Sequence, residues 1–312
     1  MTMPSCDVLL ATYNSERWLE PLLRSLAAQD HIDFRLVVAD DASADNTIAI
    51  LERHAANFPG GMEIHRNFPP SGDAIRNFDG LMKRSTAEYI FFCDHDDIWM
   101  PDKISTLLTH TRRLEEQATA NTPIYVFSDA QVIDAEGQLT AQSFWDYKKY
   151  DPAFAKSLPH LLVCPPMIGC ASVVNRACLQ RASPVPLLGI GHDWWSALVA
   201  NIFGTIDFNP QKTIQYRIHG SNVSRPRRIT PGILMSTTGK RAIVRQGIQR
   251  RIGQAAALLK AFGSSLPDDK KRVLERYVDL ASLGPIERRA RLLQDRFLYP
   301  DFYRNAAQLA LI

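Results

Sequence analysis

The chain has 312 residues, of which 46% are hydrophobic and 22% are charged, and its formal net charge is +3. These values are ordinary for a soluble globular protein, and the length suits one large domain, alone or with an appendage. We expect neither a signal peptide nor a membrane span, because the N-terminus lacks a charged region before an apolar core and no apolar run approaches the roughly 18 residues of a span.

The first half of the chain alternates short apolar segments with segments of helical periodicity. The predicted strands are 5–11, 34–39, 62–65, 89–93 and 124–127, and the predicted helices are 16–28, 46–56, 75–83 and 101–116. This alternation predicts an α/β fold with a mostly parallel central sheet. Ligands of such sheets bind at the carboxyl ends of the strands. Three of these ends carry polar residues, at 12–14, 40–41 and 94–97, and we expect them to meet in one crevice.

The densest of these polar groups is the run Asp94-His95-Asp96-Asp97, which follows a buried apolar strand. Carboxylates crowded in this way repel one another unless a cation or hydrogen-bond donors satisfy them. A hard divalent ion with oxygen ligands, Mg²⁺ or Mn²⁺, is the natural neutraliser. A solvated acidic turn is the alternative interpretation.

The second half of the chain is irregular up to Gly191, and a helix is predicted over 192–203. Strands follow at 205–209 and 213–217. From about residue 237 the pattern is helical, with segments at 238–262, 268–282 and 285–311 that are separated by prolines.

Charge and cysteine usage indicate where the protein acts. From Arg225 onward the chain has 18 Lys and Arg against 7 Asp and Glu, whereas residues 1–224 are acidic overall. A basic tail on an acidic body suggests contact with an anionic surface. Five cysteines without a paired spacing predict reduced thiols and a cytoplasmic protein.

Seven motifs, in this order, resemble family 2 glycosyltransferases of the GT-A fold, and among them bacterial rhamnosyltransferase-type enzymes of surface polysaccharide synthesis. The resemblance covers roughly residues 5–225, and His95 departs from the Gln or small residue that is frequent at its position. The motifs are 10–14 with Leu19, 38–47, 76–78, 94–103, Gly169-Cys170, 192–195 and 216–222.

The resemblance implies a GT-A catalytic domain over 1–225 and a basic helical C-terminal region over 226–312. It implies metal-dependent, inverting transfer of a sugar, with L-rhamnose from dTDP-L-rhamnose favoured, to a saccharide or lipid-linked acceptor in O-antigen or capsule synthesis. A UDP-sugar donor is the alternative. A GT-A-like nucleotidyltransferase is less favoured, because no glycine-rich loop follows the first strand.

The resemblance also assigns residues to the donor nucleotide. Thr12 and Tyr13, with Asn14, would present a hydroxyl and a ring to the base, although Tyr13 could instead be a packing aromatic. Asp40 or Asp41 would accept the imide N–H of uracil or thymine. The plain alternative for one of them is an Asx turn that caps the next helix.

The diphosphate and its metal are assigned to a second group of residues. Arg76 is a candidate for the diphosphate or the base edge, since a guanidinium matches phosphate in a bidentate manner, and a surface salt bridge is its alternative. In the family pattern Asp94 faces the ribose, with His95 beside it, and Asp96 ligates Mg²⁺ or Mn²⁺.

Two further residues complete this metal site. Asp97 would support Asp96. His219 matches a position that closes over the metal or the diphosphate, and a histidine ligand would favour Mn²⁺. A loop histidine without function is the alternative.

Asp193 is the predicted general base, because inverting transfer needs a carboxylate near the acceptor hydroxyl. The start of a helix keeps such a carboxylate ionised, although an acidic residue is common there without any catalytic role. Trp194 and Trp195 could stack on acceptor sugar rings, with one of the two more suited to the core. Gly169 is placed with them at the acceptor side.

The basic tail has two interpretations. Its helices mix Arg and Lys with Ile, Leu and Phe, which suits an amphipathic element on anionic lipid and hence peripheral contact with the inner face of the plasma membrane. They equally suit a helical bundle that packs on the body or on a second subunit as a homo-oligomer. We expect no nucleic-acid partner, since no recognised motif accompanies the charge.

Overall fold

A computed structural model of the protein describes residues 5–186, 191–220 and 238–311. The described residues form one nine-stranded sheet in the order β3-β2-β1-β4-β8-β6-β9-β5, with β7 paired to β6. The strands are β1 Cys6–Thr12, β2 Phe34–Asp40, β3 Met62–Arg66, β4 Tyr89–Asp94, β5 Ile98–Trp99, β6 Ile124–Ile133, β7 Leu139–Ala141, β8 Ser172–Asn175 and β9 Thr205–Arg217.

The N-terminal part of the sheet is parallel, as the alternating pattern predicts. β1 lies between β2 and β4, and β2 pairs in turn with β3, all in parallel register. Beyond β4 the sheet is mixed, because β8 runs antiparallel to both β4 and β6, whereas β9 is parallel to β6. The expected α/β architecture is therefore confirmed. Its continuous parallel stretch, β3-β2-β1-β4, includes the strands that carry the first two polar ends and the acidic turn.

Twelve α-helices lie in the described part of the chain. They are α1 Glu16–Ala27, α2 Thr47–His54, α3 Ala74–Arg84, α4 Lys103–Glu116, α5 Phe144–Lys148, α6 Leu158–Leu161, α7 Arg176–Ala182, α8 His192–Phe203, α9 Thr238–Phe262, α10 Asp268–Val278, α11 Pro285–Gln294 and α12 Phe302–Leu311. α1 and α3 show why these segments are helical, since each buries a stripe of apolar residues at three- and four-residue spacing.

Two predicted boundaries are corrected. The segments 205–209 and 213–217 form the single strand β9, which follows β6 through register shifts near Asp129 and so absorbs the turn-like residues Pro210 and Gln211. The last predicted helix, 285–311, is two helices, α11 and α12, with Pro300 in the connection between them.

Strand register brings the polar ends together. Thr12 at the end of β1 pairs with Asp40 at the end of β2, and Ala11 pairs with Asp94 at the end of β4. The expected convergence of the three strand ends is therefore confirmed. The short strand β5 then pairs antiparallel with β9, which brings the end of β9 against the acidic turn.

The C-terminal helices pack on the rest of the molecule. The ring of Phe262 in α9 stacks on Trp195 with centroids 6.0 Å apart, and the hydroxyl of Tyr277 in α10 donates to the carbonyl of Leu162. In α12, Arg304 donates to the carbonyl of Lys148 at 2.8 Å. These contacts fit the bundle interpretation of the tail. No helix of the described residues combines the length and the apolarity that crossing a membrane would need.

Candidate active site

The acidic turn joins β4 to β5. Phe91, Phe92 and Cys93 of β4 are fully buried, so the strand delivers the turn from the interior of the sheet to its edge. Asp96 and Asp97 are buried, while Asp94 and His95 are partly exposed. The four residues predicted to bind the diphosphate and metal thus lie in one tight turn.

Asp97 has the most confined carboxylate of the turn. It is 0% exposed, and its Oδ1 accepts a hydrogen bond from the backbone N–H of Arg217 at 2.9 Å. Its Oδ2 is buried without a hydrogen bond of ordinary geometry in the described parts of the chain. Burial, together with the charges of Asp96 and Asp94, raises its pKa well above the ordinary value. A buried carboxylate oxygen of this kind is stabilised by a proton or by a bound cation.

Asp94 experiences the same crowding. Burial, Asp96 and Asp193, in that order, raise its pKa to about 7. The contribution of Asp193 is informative, because it places the predicted base within electrostatic reach of the acidic turn.

A buried lysine supplies the positive charge that faces this turn. Lys103, the first residue of α4, is 0% exposed, and its ammonium lies 3.4 Å from the centroid of the Trp99 ring. It donates to the carbonyl of Cys170. Burial lowers its pKa to about 8, against the opposing charges of its neighbours, which include Asp97 and Asp94. Below that pH the ammonium is the positive charge that partly balances the carboxylates.

Asp96 faces a different group. Its Oδ2 lies 2.7 Å from Nε2 of His219, and the imidazole stacks on Trp18 with centroids 4.1 Å apart. Arg217 donates from Nε to the backbone carbonyl of Asp96 at 2.7 Å. The pairing of β5 with β9 therefore brings together Asp96 and His219, which the sequence predicted as partners at one metal.

The donor atoms suit a hard divalent cation. Carboxylate oxygens of Asp94 and Asp97 and the sulfur of Cys170 all lie within 4.8 Å of one another. Burial raises the pKa of the Cys170 thiol well above its usual range, so it stays protonated and is a poor ligand. The carboxylate oxygens of Asp94 and Asp97 match the oxygen-rich ligand sets of Mg²⁺ and Mn²⁺.

The ends of β1 and β2 form a hydrogen-bonded loop pair. Thr12 donates to Asp40 Oδ1 at 2.9 Å, and the backbone N–H of Ser43 donates to Asp40 Oδ2 at the same distance. Asn14, in the left-handed region with φ of 47°, receives a hydrogen bond from the N–H of Ala44 at Oδ1. The side chains of Asp40 and Asn14 therefore fix the loops at this edge of the crevice, because they accept hydrogen bonds from backbone N–H groups.

Asp41 is held more tightly. Its carboxylate accepts hydrogen bonds from the side chain of Asn67 and from the backbone N–H groups of Ser71 and Gly72, at 2.5–3.0 Å. Burial acts to raise its pKa, but these hydrogen bonds outweigh burial and leave the pKa below the ordinary value. Both aspartates thus have structural partners within the loops. Neither caps the next helix, because α2 begins at Thr47, whose N–H donates to Asp45.

Tyr13 and Arg76 reach solvent at this edge. Tyr13 is 59% exposed, so its ring can be reached by a planar ligand. Arg76 lies 3.5 Å from Asp73 in an exposed i,i+3 ion pair. An ion pair of this kind contributes little, so the guanidinium can exchange Asp73 for an anionic ligand.

Asp193 sits in the first turn of α8 beside two glycines. Its Oδ1 accepts from the N–H of Trp194 at 2.7 Å. A Cβ on Gly191 would clash with this oxygen, and a Cβ on Gly169 would lie 3.4 Å from the other oxygen, Oδ2. The next residue, Cys170, belongs to the acidic cluster. The glycines therefore leave room for the Asp193 carboxylate where it meets that cluster.

Trp194 and Trp195 are both packed inside the protein. They are 7% and 1% exposed, and their indole N–H groups donate to the carbonyls of Leu161 and Ala182 at 2.8 Å. The prediction that they stack on acceptor rings is contradicted by this burial. α8 is covered on almost every side, so neither tryptophan lies on an exposed face.

Five residues of the site received no role from the sequence: Trp18, Lys103, Gly191, His192 and Arg217. Lys103, His192 and Arg217 lie inside motifs that carried the resemblance, and a buried lysine four residues after Trp99 could have been recognised as a counter-charge. Trp18 and Gly191 gave no such signal, since their roles depend on contacts across the fold.

The family model described as "Glycosyl transferase family 2" matches residues 7–177, which is more than half of the chain. The curated protein named dTDP-rhamnosyl transferase RfbG, from Shigella flexneri, is 38% identical over 102 residues, 32% of this chain and 35% of that protein. The chain thus spans about a third of the length of this relative. The protein named poly(ribitol-phosphate) beta-N-acetylglucosaminyltransferase TarS, from Staphylococcus aureus, is 33% identical over 30% of this chain and 17% of its own length.

Solved structures show the same fold. TarS 1–349 of S. aureus in complex with UDP-GlcNAc superposes with a TM-score of 0.58, at 16% identity, over 98% of this chain and 84% of that one. The mannosyltransferase PcManGT of Pyrobaculum calidifontis, in complex with GDP-Man and Mn²⁺, gives 0.55 at 17% identity over 99% and 79%. At these identities the likeness concerns the fold, which is that of GT-A glycosyltransferases.

Proposed function

Because the chain belongs to glycosyl transferase family 2, we propose that it transfers a sugar from a nucleotide-sugar donor to an acceptor hydroxyl with inversion, in a metal-dependent reaction. The protein is a glycosyltransferase, and the proposal concerns its mechanism and substrates. One observation carries it: the acidic turn and the carboxylate of Asp193 meet at Gly169 and Cys170, at the carboxyl ends of the parallel strands.

The donor nucleotide is assigned to the open edge formed by β1 and β2. The exposed ring of Tyr13 would stack on the base, while Thr12, Asn14, Asp40 and Asp41 shape the loops around it. Arg76 of α3 would leave its weak ion pair for the diphosphate.

The acidic turn would hold the divalent cation and the ribose. Asp94, Asp96 and Asp97 would supply oxygen ligands, and His95 lies among them in the turn. His219, 2.7 Å from Asp96, is a further candidate ligand. When bound, such a cation stabilises the negative charge of the departing nucleoside diphosphate. A neighbour of this fold was solved with Mn²⁺, and we propose Mn²⁺ or Mg²⁺ here.

Asp193 would act as the general base. A carboxylate at the start of α8 is favoured in its ionised form by the helix dipole. It would accept the proton of the acceptor hydroxyl as that oxygen attacks the anomeric carbon on the face opposite the diphosphate. The acceptor therefore approaches from the side of Gly169, but without stacking on Trp194 or Trp195.

The donor we propose is dTDP-L-rhamnose, with a UDP-sugar as the runner-up. The 38% identity to a protein named dTDP-rhamnosyl transferase supports dTDP-L-rhamnose. A structural neighbour solved with UDP-GlcNAc supports the UDP-sugar alternative. The acceptor would be a saccharide or a lipid-linked saccharide of O-antigen or capsule. We further propose a cytoplasmic location, which the five buried free cysteines support, and peripheral contact with the membrane.

The test is release of nucleoside diphosphate from dTDP-, UDP- and GDP-sugars in the presence of Mn²⁺, Mg²⁺ or EDTA, with Asp96→Ala as the inactive comparison. We expect slow turnover of one donor that requires the metal and is lost in the variant. A protein that turns over no donor and binds no nucleotide in calorimetric titration would contradict the proposal.

A further inference from the structure

The helix α11 presents a stripe of apolar side chains to solvent. Ile286, Ala290 and Leu293 are exposed, Ile286 by 81% and Leu293 by 53%. Their spacing of four and three residues places the three side chains on one face of the helix. Leu292, on another side of α11, is buried. The helix therefore packs through one apolar residue and leaves a second apolar face exposed.

The helix α12 has a stripe of the same kind. Phe302 is 78% exposed and Tyr303 is 56% exposed, and their rings touch with centroids 5.9 Å apart. Ala306 and Ala310 continue this face at four-residue spacing and are also exposed. Single exposed apolar residues are common on protein surfaces, but clusters of large ones mark interaction sites.

The two stripes belong to helices that touch each other. Nε of Arg289 in α11 donates to the carbonyl of Leu309 in α12 at 2.6 Å. α12 is also attached to the catalytic part of the molecule, because Arg304 donates to the carbonyl of Lys148. A partner that binds these helices would therefore hold the catalytic part as well. We call this surface the α11–α12 face and define it by its four large apolar residues, Ile286, Leu293, Phe302 and Tyr303.

The charge around the α11–α12 face indicates the chemistry of its partner. Residues 238–311 contain 15 Lys and Arg against 7 Asp and Glu. Glu287 is the only acidic residue of α11, and its carboxylate accepts a hydrogen bond from the N–H of Gly284. A second copy of this basic region would be repelled, whereas an anionic lipid surface attracts it. The interface of a bilayer also accepts apolar and aromatic side chains.

We propose that the α11–α12 face inserts its apolar side chains into the interface of an anionic lipid bilayer and thereby holds the enzyme at the membrane. This inference rests on the proposed function, because a membrane contact serves an enzyme whose acceptor is lipid-linked. It adds the surface that makes the contact. The apolar residues of α11 and α12 enter the bilayer, and the basic residues of the C-terminal region attract the lipid head groups.

The experiment measures sedimentation of the full chain with vesicles that contain phosphatidylglycerol and phosphatidylcholine, and with vesicles of phosphatidylcholine alone. Ile286→Ser with Phe302→Ser removes one large apolar side chain from each helix. Both positions are mostly exposed, so the double variant should keep the fold, which circular dichroism checks. Leu293→Ser with Tyr303→Ser is a second pair on the same face.

The matched control is Ile32→Ser with Phe68→Ser. These residues are an isoleucine and a phenylalanine that are 60% and 94% exposed. They lie in the connections before β2 and after β3, outside the C-terminal region. The control thus removes the same two kinds of exposed side chain from another part of the surface.

A fluorescent label reports insertion directly. The five native cysteines are buried, so a thiol-reactive dye should label a cysteine introduced at an exposed position. Phe302→Cys places an environment-sensitive dye on the α11–α12 face, and Ile32→Cys places the same dye away from it.

We expect Ile286→Ser with Phe302→Ser to weaken binding to the phosphatidylglycerol vesicles at least about 10-fold, because this binding scales with the apolar area that enters the bilayer. The control pair should bind like the wild type. The dye at position 302 should shift its emission to shorter wavelength when these vesicles are added, and the dye at position 32 should not. Affinity for UDP in Mn²⁺ should be the same in the Ile286 and Phe302 double variant as in the wild type.

Three results would overturn this inference alone. They are a wild type that binds no vesicles, undiminished vesicle binding by both folded variant pairs, and an unchanged emission of the dye at position 302. A wild-type oligomer that Ile286→Ser with Phe302→Ser converts to a monomer would also overturn it, and would assign the face to a second copy. A wild-type protein that binds no nucleotide would instead contradict the proposed function, whatever the vesicles show.

Discussion

Asp193, the proposed general base, lies in the first turn of α8. One of its oxygens accepts from the N–H of Trp194, and the other lies beside Gly169. We expect Asp193→Asn to reduce sugar transfer about 10²- to 10⁴-fold, the usual contribution of a general base, because the amide cannot accept the proton. Donor binding should change little. The measurement is steady-state transfer alongside calorimetric titration of nucleoside diphosphate.

Asp268→Asn is the control for this change. Asp268 is also an acidic residue in the first turn of a helix, α10, but it is exposed and far from the crevice in sequence and contacts. Near-wild-type transfer by Asp193→Asn would show that Asp193 is only a residue favoured by the helix dipole.

Individual residues of the site could be predicted from the sequence where a motif places them at a strand end. Asp94 to Asp97, Thr12 and Asp40 follow apolar strands, and parallel register then forces their ends together. Trp194 and Trp195 could not be assigned in this way. Their helix is apolar on nearly all sides, so sequence spacing cannot separate a ring that faces a ligand from one that packs on α9.

The carboxylate of Asp41, directly after β2, holds the loop that follows β3. Asp41 accepts hydrogen bonds from Ser71, Gly72 and Asn67, which keep its folded-state pKa below the ordinary value. Because its pKa is lower in the folded state, ionised Asp41 stabilises the fold at pH values above its unfolded-state pKa of about 4. This stabilisation is lost as the pH falls through the folded-state pKa.

We therefore expect the free energy of unfolding of Asp41→Asn to depend less on pH below about 4 than that of the wild type. At pH 7 the variant should be less stable by about 1–3 kcal/mol, because charge-assisted hydrogen bonds to two backbone N–H groups are weakened. Urea unfolding at a series of pH values measures both effects. Parallel pH profiles for the two proteins would refute the role of Asp41.

The C-terminal helices are joined through a buried phenylalanine. Phe297 is 0% exposed, its ring meets Tyr277 of α10 edge-on at 4.7 Å, and its carbonyl accepts from Gln308 of α12. Phe297→Ala should lower the free energy of unfolding by about 3–5 kcal/mol, the usual effect of removing a buried phenylalanine.

Phe302→Ala is the comparison for this change, since Phe302 is 78% exposed and should cost less than about 0.5 kcal/mol. Denaturant unfolding followed by tryptophan fluorescence and by circular dichroism should report one shared transition for both variants. A small effect of Phe297→Ala, or a separate transition of the helical signal, would show that these helices fold apart from the body.

Element types were predictable from periodicity, but some boundaries were not. The sequence of β9 predicts two strands because Pro210 and Gln211 resemble a turn. In the structure the strand continues past these residues because both of its halves pair with β6. The segment after Pro285 reads as one helix, since its apolar spacing continues past the break at Pro300. Both outcomes depend on tertiary contacts that local sequence does not contain.

The basic residues of the C-terminal region allow the proposed membrane contact to be tested by charge reversal. Arg245 and Arg250 of α9 are exposed, so reversing their charge should not disturb the packing of the helices. We expect Arg245→Glu with Arg250→Glu to reduce sedimentation with phosphatidylglycerol vesicles, because each basic residue near an anionic surface contributes about 1 kcal/mol.

The matched control reverses Arg112 and Arg113, which are exposed on α4 outside the tail. It should sediment like the wild type. Equal loss of vesicle binding in both double variants would show that binding depends on net charge and not on α9. Absence of vesicle binding by the wild type would contradict the proposed membrane contact.

The central claim is that the ends of β1, β2 and β4 form one crevice for a nucleoside diphosphate with a divalent cation. Calorimetric titration of dTDP and UDP with Mn²⁺ and with EDTA, on the wild type and on Asp94→Asn, tests it most directly. We predict binding in Mn²⁺ that weakens at least about 10-fold in EDTA and in the variant, since each removes part of the charge balance at the diphosphate. Equal affinity in Mn²⁺ and EDTA, or no binding of either nucleotide, would contradict the claim.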